Sequence, residues 1–354
     1  LDEEIEMAEI KKVGMLTGGG DAPGLNGVIR AVTTRCEEHG YEVVGVKRGW
    51  KGLLEPESDS FVPLDTDNVR NILEEGGTVL GSSRTNPYKN EGDAEKVVEN
   101  MKAQGIDALV AIGGDDTLGV ARRLNDDFGV QVIGCPKTID NDLSATDTTF
   151  GFDTAVSIAT DAIDKLRSTA KSHERIVVVE VMGRHAGWIT WGAGLASAAN
   201  FTLIPEVEPD LDRMEKIFKD RAARGEKWGL VAVSEGVTLG EEYMTQTAER
   251  DEFGHVQLGG VAETLAGELE ARTGIETRHV VLGHLQRGGT PTANDRILST
   301  RYGLRAAEAV KGGEWGKMVA LRGNDVVTVS LSEATDETKT VPEDLYKVLD
   351  TFFG

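Results

Sequence analysis

Cysteine is nearly missing from this chain: Cys36 and Cys135 are the two among 354 residues. Each stands alone in apolar surroundings, which argues against a disulfide framework and leads us to expect a reduced, cytoplasmic protein. Long apolar runs are also lacking. No stretch approaches a membrane span, and the acidic start, Leu1 to Glu9, does not read as a signal peptide. Residues 1–10 read instead as a frayed, charged leader. Aromatic residues make up 5%, few for a single-strand nucleic-acid binder. Trp50, Trp188, Trp191, Trp228 and Trp315 are scattered, as packing residues would be. Positive charge is in the minority, with 38 Lys and Arg against 60 Asp and Glu and a formal net charge of −22. That balance disfavours nonspecific binding to nucleic acid or to anionic membranes. An anionic small substrate stays compatible where basic residues gather in one cleft.

Several familiar motifs are absent too. No Gly-x-x-x-x-Gly-Lys-Ser/Thr occurs, so a Walker-type nucleotide loop is out. Gly18-x-Gly20 meets Pro23 where a dinucleotide fingerprint needs its third glycine. The following strand, Glu42 to Val46, ends in Lys47-Arg48 rather than in an acidic ribose ligand. Ala232-Val233-Ser234-Glu235-Gly236 lacks the first glycine of a hydrolase elbow. His39, His173, His185, His255, His279 and His284 show neither triad logic nor zinc-ligand spacing.

What the chain does have is a pair of acidic loops behind buried strands. Ala108 to Ile112 and Val130 to Cys135 are short apolar runs of the kind that form parallel strands. They deliver Gly113-Gly114-Asp115-Asp116-Thr117 and Pro136-Lys137-Thr138-Ile139-Asp140-Asn141-Asp142 to one sheet edge, with a short crossover helix, Thr117 to Asn125, between them. Four carboxylates beside Lys137 and paired glycines point to Mg²⁺ and phosphate chemistry. Acidic turn residues capping helices are the plainer alternative. Upstream, strand Lys12 to Thr17, glycine loop 18–24 and helix Asn26 to Cys36 aim backbone N–H groups at an anion. Gly76 to Arg84 is a second small-residue loop, closed by one cation.

A second α/β series runs from helix Thr154 to Lys171 through strands Arg175 to Val181, Phe201 to Ile204, Gly229 to Val233 and Thr277 to Val281. Its helices are Ala186 to Ala199, Asp210 to Arg224 and Val261 to Arg272, and helix Ala293 to Val310 follows. Alternation of strands and helices predicts two doubly wound, mostly parallel α/β lobes. The first covers 1–150 with roughly 289–325 and the second 151–288; 326–354 is a packing segment that includes a helix from Val341 to Phe353. Arg175, Arg184, Arg278, Arg287 and His284 are read as cations at strand ends of the second lobe, gathered for an anionic ligand. Asp140 is the best general base, Asp115 at its strand end the best Mg²⁺ ligand, and Arg184 a stabiliser of transferred charge.

At this point the motifs resemble the phosphofructokinase A family: Gly19 to Asn26, Gly113-Gly114-Asp115, Thr138 to Asp142, Met182-Gly183-Arg184 and Gly283 to Gly289. The match runs in order from about Lys11 to about Arg322. The resemblance implies phosphoryl transfer to the 1-hydroxyl of fructose 6-phosphate, with the active site in the cleft between the lobes. It makes Asp140 the proton acceptor, puts Thr138 at the sugar's reacting end, gives Mg²⁺ to Asp115, and sets Gly20 against the donor phosphates. Arg84, Gly114, Asp116, Thr117 and Lys137 complete the donor set. Met182, Gly183, Arg184, Glu235, His284 and Arg287 line the sugar-phosphate site, while Arg175 and Arg278 resemble arginines that reach a neighbouring subunit's substrate. A homodimer or homotetramer follows. Arg30, Arg167 and Arg224 match basic positions of a regulatory site, but Thr34 and Glu226 do not, so weak regulation or none is expected.

Two positions bear on the donor. ATP-using members typically carry glycine where this chain has Asp116 and Lys137, and the pair resembles the pyrophosphate-dependent branch. A carboxylate beside an α-phosphate repels it by ~4 kcal/mol at ~4 Å in an effective dielectric of about 20, on the order of a thousandfold. The alternatives are an ATP-dependent 6-phosphofructokinase with a remodelled pocket, and a non-catalytic sugar-phosphate sensor.

Overall fold

A computed structural model describes residues 10–240 and 259–354. The expected leader lies almost wholly outside the described residues. The chain divides into two compact units. One holds residues up to Lys137, Ala145–Phe150 and Ala293–Asp336; the other holds Thr138–Ser144, Gly151–Thr292 and Glu337–Gly354. This division departs from the sequence boundaries: 138–144 goes with the second unit, and 326–354 is shared between both rather than forming a separate segment.

The first unit opens with β1 (Lys12–Thr17), α1 (Leu25–Glu38), β2 (Glu42–Val46), α2 (Trp50–Leu54) and β3 (Phe61–Leu64). It continues through α3 (Asp93–Ala103), β4 (Ala108–Gly113), α4 (Asp115–Phe128) and β5 (Val132–Pro136). Every residue of β4 and β5 is buried, the signature of interior parallel strands covered on both faces. α4 is longer than expected and starts two residues earlier. Gly114 ahead of it is extended, which brings Asp115 and Asp116 into the first helical turn. Asp115 is therefore a helix residue and not the end of a strand.

The second unit contains α5 (Phe152–Ser172), β6 (Ile176–Val181), α6 (Trp188–Ala196), β7 (Phe201–Leu203), α7 (Leu211–Ala223) and β8 (Gly229–Ser234). Then come α8 (Val261–Thr273), β9 (Thr277–Val281) and a 3₁₀ turn at Gly283–Arg287. Its four strands run in the order β7-β8-β6-β9, all parallel. Met214, Phe218, Leu265 and Leu269 from α7 and α8 pack with Ile176, Val178, Phe201 and Val231 in one buried core.

The chain then returns to the first unit with α9 (Ala293–Lys311), β10 (Lys317–Arg322), β11 (Asp325–Ser330) and α10 (Leu331–Thr335), and ends with α11 (Glu343–Asp350). The first sheet reads β11-β10-β5-β4-β1-β2-β3, parallel at its centre, with β3 and β11 antiparallel at the two edges. Leu298, Tyr302, Ala306 and Val310 of α9 join Val28, Ile29 and Val32 of α1 in the core over β1 and β4. Among the described residues, no helix is long and apolar enough to cross a membrane.

Each sheet reverses its winding once. In the first, β1 continues to β2 on one side while β4 lies on the other; in the second, β8 and β9 flank β6. Such reversals leave a crevice at the carboxyl edge, where ligands of open α/β sheets bind.

Candidate active site

At the first reversal the loop after β1 is stitched to its neighbours through backbone. Gly18 N donates to Ile112 O at 2.9 Å and Gly19 N to Ser83 O at 3.0 Å. The Ser82 hydroxyl donates to Gly19 O, and Thr17 Oγ1 donates to Gly81 O at 2.8 Å. The 81–84 loop thereby lies against the glycine loop, with Arg84 exposed at its end. Gly19 needs its freedom, with a φ of 77°, and a Cβ there would stand 3.4 Å from Lys137 Nζ. Thr117 is buried over the same loop, so close that a Cβ on Gly18 or Gly113 would overlap it at 2.5 or 2.3 Å.

Lys137 follows β5 directly. Its main-chain N donates to Gly113 O at 2.9 Å, and its ammonium group donates to Gly20 O, although the residue is only 3% exposed. A cation held against a glycine loop, next to the N-terminus of a 14-residue helix, is an anion-binding arrangement. The carboxylates of Asp115 and Asp116 in that first turn offer hard oxygen donors. No group of three or more His, Cys, Asp or Glu that could hold a metal occurs among the described residues. One or two carboxylates completed by substrate phosphates is how Mg²⁺ is commonly held, so the donor set fits that ion.

In the second unit, Asp140 is 3% exposed. Its backbone N donates to Thr138 Oγ1 at 3.0 Å, and that hydroxyl donates to Asp140 Oδ2 at 3.4 Å. The next residue, Asn141, has a φ of 53°, an uncommon conformation for a residue with a Cβ. The loop after β6 is equally bent, with Gly183 at φ 153° and Arg184 at 53°. Glu235, just past β8, holds it by accepting from Gly183 N at 3.3 Å and Arg184 N at 3.1 Å. Burial pushes the Glu235 carboxyl above its ordinary value, the two backbone donors pull against that, and the charges of Asp140 and Glu180 add to it.

Gln286, fully buried in the 3₁₀ turn, accepts from Met182 N at 3.3 Å and donates to Gly283 O at 3.1 Å. It ties the β6 loop to the turn that carries His284 and Arg287. Sequence reading had not singled it out; a glutamine between a histidine and an arginine in a glycine-bounded turn was the available signal. Glu180 was also missed. It is buried in β6 and caps α8 by accepting from Gly260 N and Ala262 N, each at 3.0 Å.

Two expected members stand elsewhere. Arg175 immediately precedes β6, and Arg278 is the second residue of β9, paired with Val177. They lie at the amino edge of the second sheet, opposite the loops at 182–184, 235 and 283–287. The shared placement of the four arginines at one set of strand ends is thus corrected. A strand's two ends lie on opposite edges, and the sequence does not show which end a flanking arginine occupies. Arg278 pairs with Glu276 at 2.6 Å, and Arg175 approaches the same carboxylate at 3.6 Å.

Comparison with known proteins gives a consistent picture. The phosphofructokinase family model matches residues 12–310. A pyrophosphate–fructose 6-phosphate 1-phosphotransferase of Amycolatopsis methanolica is 58% identical over 349 residues, 97% of this chain and 100% of the relative. An ATP-dependent 6-phosphofructokinase of Streptomyces coelicolor is 48% identical, covering 95% of this chain and 98% of the relative. Among solved structures, Pichia pastoris phosphofructokinase superposes with a TM-score of 0.82 at 30% identity, covering 98% of this chain; the chain spans 37% of that longer one. A pyrophosphate-dependent phosphofructokinase of Marinobacter aquaeolei shares the fold, with a TM-score of 0.80 at 24% identity and coverage of 98% and 92%.

Proposed function

Since the chain belongs to the phosphofructokinase family, we propose that it transfers a phosphoryl group from pyrophosphate to the 1-hydroxyl of fructose 6-phosphate. The products are fructose 1,6-bisphosphate and inorganic phosphate, and the reaction runs in both directions. The observation that carries the choice of donor is Lys137, buried with its ammonium group on Gly20 O, in the same unit as Asp116 in the first turn of α4. The cation suits the end of a short, highly charged donor, and the carboxylate opposes the α-phosphate of a longer one. The Amycolatopsis relative, named for pyrophosphate, points the same way.

In this reading Asp140 accepts the proton of the 1-hydroxyl as its oxygen attacks phosphorus and the bond to the departing phosphate breaks. Thr138 orients Asp140 through its hydroxyl, which donates to the carboxylate and accepts from the Asp140 backbone N. Arg184 stabilises charge on the transferring group. Met182, Gly183, Glu235, His284 and Arg287 bind the sugar phosphate. Gly20, Arg84, Gly114, Asp116, Thr117 and Lys137 bind the donor. Asp115 would hold Mg²⁺, which when bound would neutralise charge on the donor's oxygens. Arg175 and Arg278, away from the loops of their own sheet, serve a neighbouring copy's substrate, which makes the enzyme a homodimer or homotetramer. It works in the cytoplasm.

Initial rates with fructose 6-phosphate and Mg²⁺, pyrophosphate against ATP at equal concentration, test the donor. A large preference for pyrophosphate is expected, and Asp116→Gly should shift the ratio toward ATP by on the order of a hundred- to a thousandfold. An equal or greater rate with ATP in the wild type overturns the donor assignment and favours the ATP-dependent reading, which the Streptomyces relative represents.

A further inference from the structure

The segment after α10 carries no catalytic motif, yet it grips the loop around Asp140. Thr338 forms a β-bridge with Leu143, and Lys339 N donates to Asp142 O at 2.8 Å. The Lys339 ammonium group donates to Asn141 Oδ1 at 2.9 Å and lies 5.4 Å from the centre of the Trp188 ring. Lys339 is itself held: Trp188 Nε1 donates to its carbonyl oxygen at 2.9 Å. Two residues on, Val341 N donates to Glu206 Oε1 at 2.9 Å, and the same oxygen accepts from Gly187 N at 2.9 Å ahead of α6.

We propose that Lys339 is a positioning residue for the phosphoryl transfer, holding Asn141 in its left-handed conformation so that the adjacent Asp140 carboxylate keeps its catalytic orientation. Asn141 sits at φ 53°, a left-handed conformation that is costly for a residue with a Cβ and persists where the surroundings over-determine it. The Lys339 contacts supply that determination from 198 residues away. Lys339 acts on Asp140 through Asn141 and Asp142 and is given no contact with substrate. The assignment rests on Asp140 being the base.

Lys339→Met removes the charge and keeps the length. With whichever donor the wild type uses, kcat should fall by about ten- to a hundredfold, the scale of a misplaced reacting group, with KM for fructose 6-phosphate little changed. Amide hydrogen exchange across 138–143, measured without substrate, should quicken. Lys339→Arg should recover part of kcat, and adding Lys339→Met to Asn141→Ala should cost nothing further. Retained kcat, unchanged exchange, a lower Tm with normal kcat, or additive losses in the double variant each overturn the proposal. If Lys339→Met does not fold, Asn141→Ala alone must show the kcat loss and the faster exchange, or the proposal falls. A wild type that phosphorylates fructose 6-phosphate with neither donor sinks the functional reading instead, and the exchange comparison then decides by itself whether Lys339 holds the loop.

Discussion

On the proposed reading, the two units hold their anions by different means. The first uses backbone and almost no side-chain cation: a glycine loop laced to Ile112 and Ser83, a helix N-terminus and the single buried Lys137. The second uses carboxylates, buried at Glu180 and half-buried at Glu206 and Glu235, turned inward on their own main chain. Glu235 holds the bend at Gly183 and Arg184, Glu180 caps α8, and Glu206 holds the turn before α6 and the strap at Val341. A backbone cradle reads little but phosphate, whereas oriented side chains discriminate one sugar phosphate from another.

The sharpest way to break this comparison is at the residue where both halves of the chemistry meet in the sequence. Lys137 is the last residue of one unit and Thr138 the first of the next. Asp140→Asn, two residues on, should lower kcat by about 10²–10⁴-fold, the worth of a general base, and leave both KM values within a small factor. Steady-state kinetics with each substrate varied would show it. A retained kcat would remove Asp140 from the chemistry.

A smaller effect separates the units. A Cβ on Gly236 would stand 1.9 Å from the Arg184 carbonyl oxygen, a backbone atom. Gly236→Ala should therefore displace the Arg184 loop and raise KM for fructose 6-phosphate by about tenfold, equivalent to ~1.4 kcal/mol, without changing KM for the donor. Gly18→Ala meets the Thr117 hydroxyl at 2.5 Å and its methyl at 2.9 Å, and should raise only the donor KM. Equal effects of both variants on both substrates would collapse the distinction.

The smallest effect is one of stability. Glu235 has its carboxyl raised above 4.5 by burial, so the folded state binds that proton more tightly than the unfolded one. Its contribution is most favourable below the unfolded value and is lost as pH rises through the folded one. Glu235→Gln keeps an acceptor for Gly183 N and Arg184 N without the buried charge. It should raise Tm at pH 7 by about 1–3 °C, and the difference should shrink on acidification toward pH 4. A Tm difference that grows on acidification would reverse the sign argued here.

Much of this was legible in the sequence because the relevant patterns are local. Lys12–Thr17, Glu42–Val46 and Thr277–Val281 are strands at the bounds their composition predicts. β3 was not, because Pro63 speaks against a strand except at an edge, and an edge is where it lies. β10 and β11 escaped because the second is half-exposed along its length and closes the opposite edge. Gly114's extended backbone, which decides that Asp115 belongs to α4, has no signature in residue type. Lys339 was illegible for a plainer reason: its partner Asn141 is 198 residues away.

The interrupted first sheet bears on how the protein is made. β5 emerges from the ribosome with one edge still open, since its other neighbour, β10, comes roughly 180 residues later, a wait of roughly 10–40 s at ordinary rates of synthesis. Until then a row of unmet N–H and C=O groups is presented to any passing strand. The apolar face that α9 covers is bare for almost as long. Newly made chains should lean on a chaperone during that interval, although the finished protein shows no trace of the need.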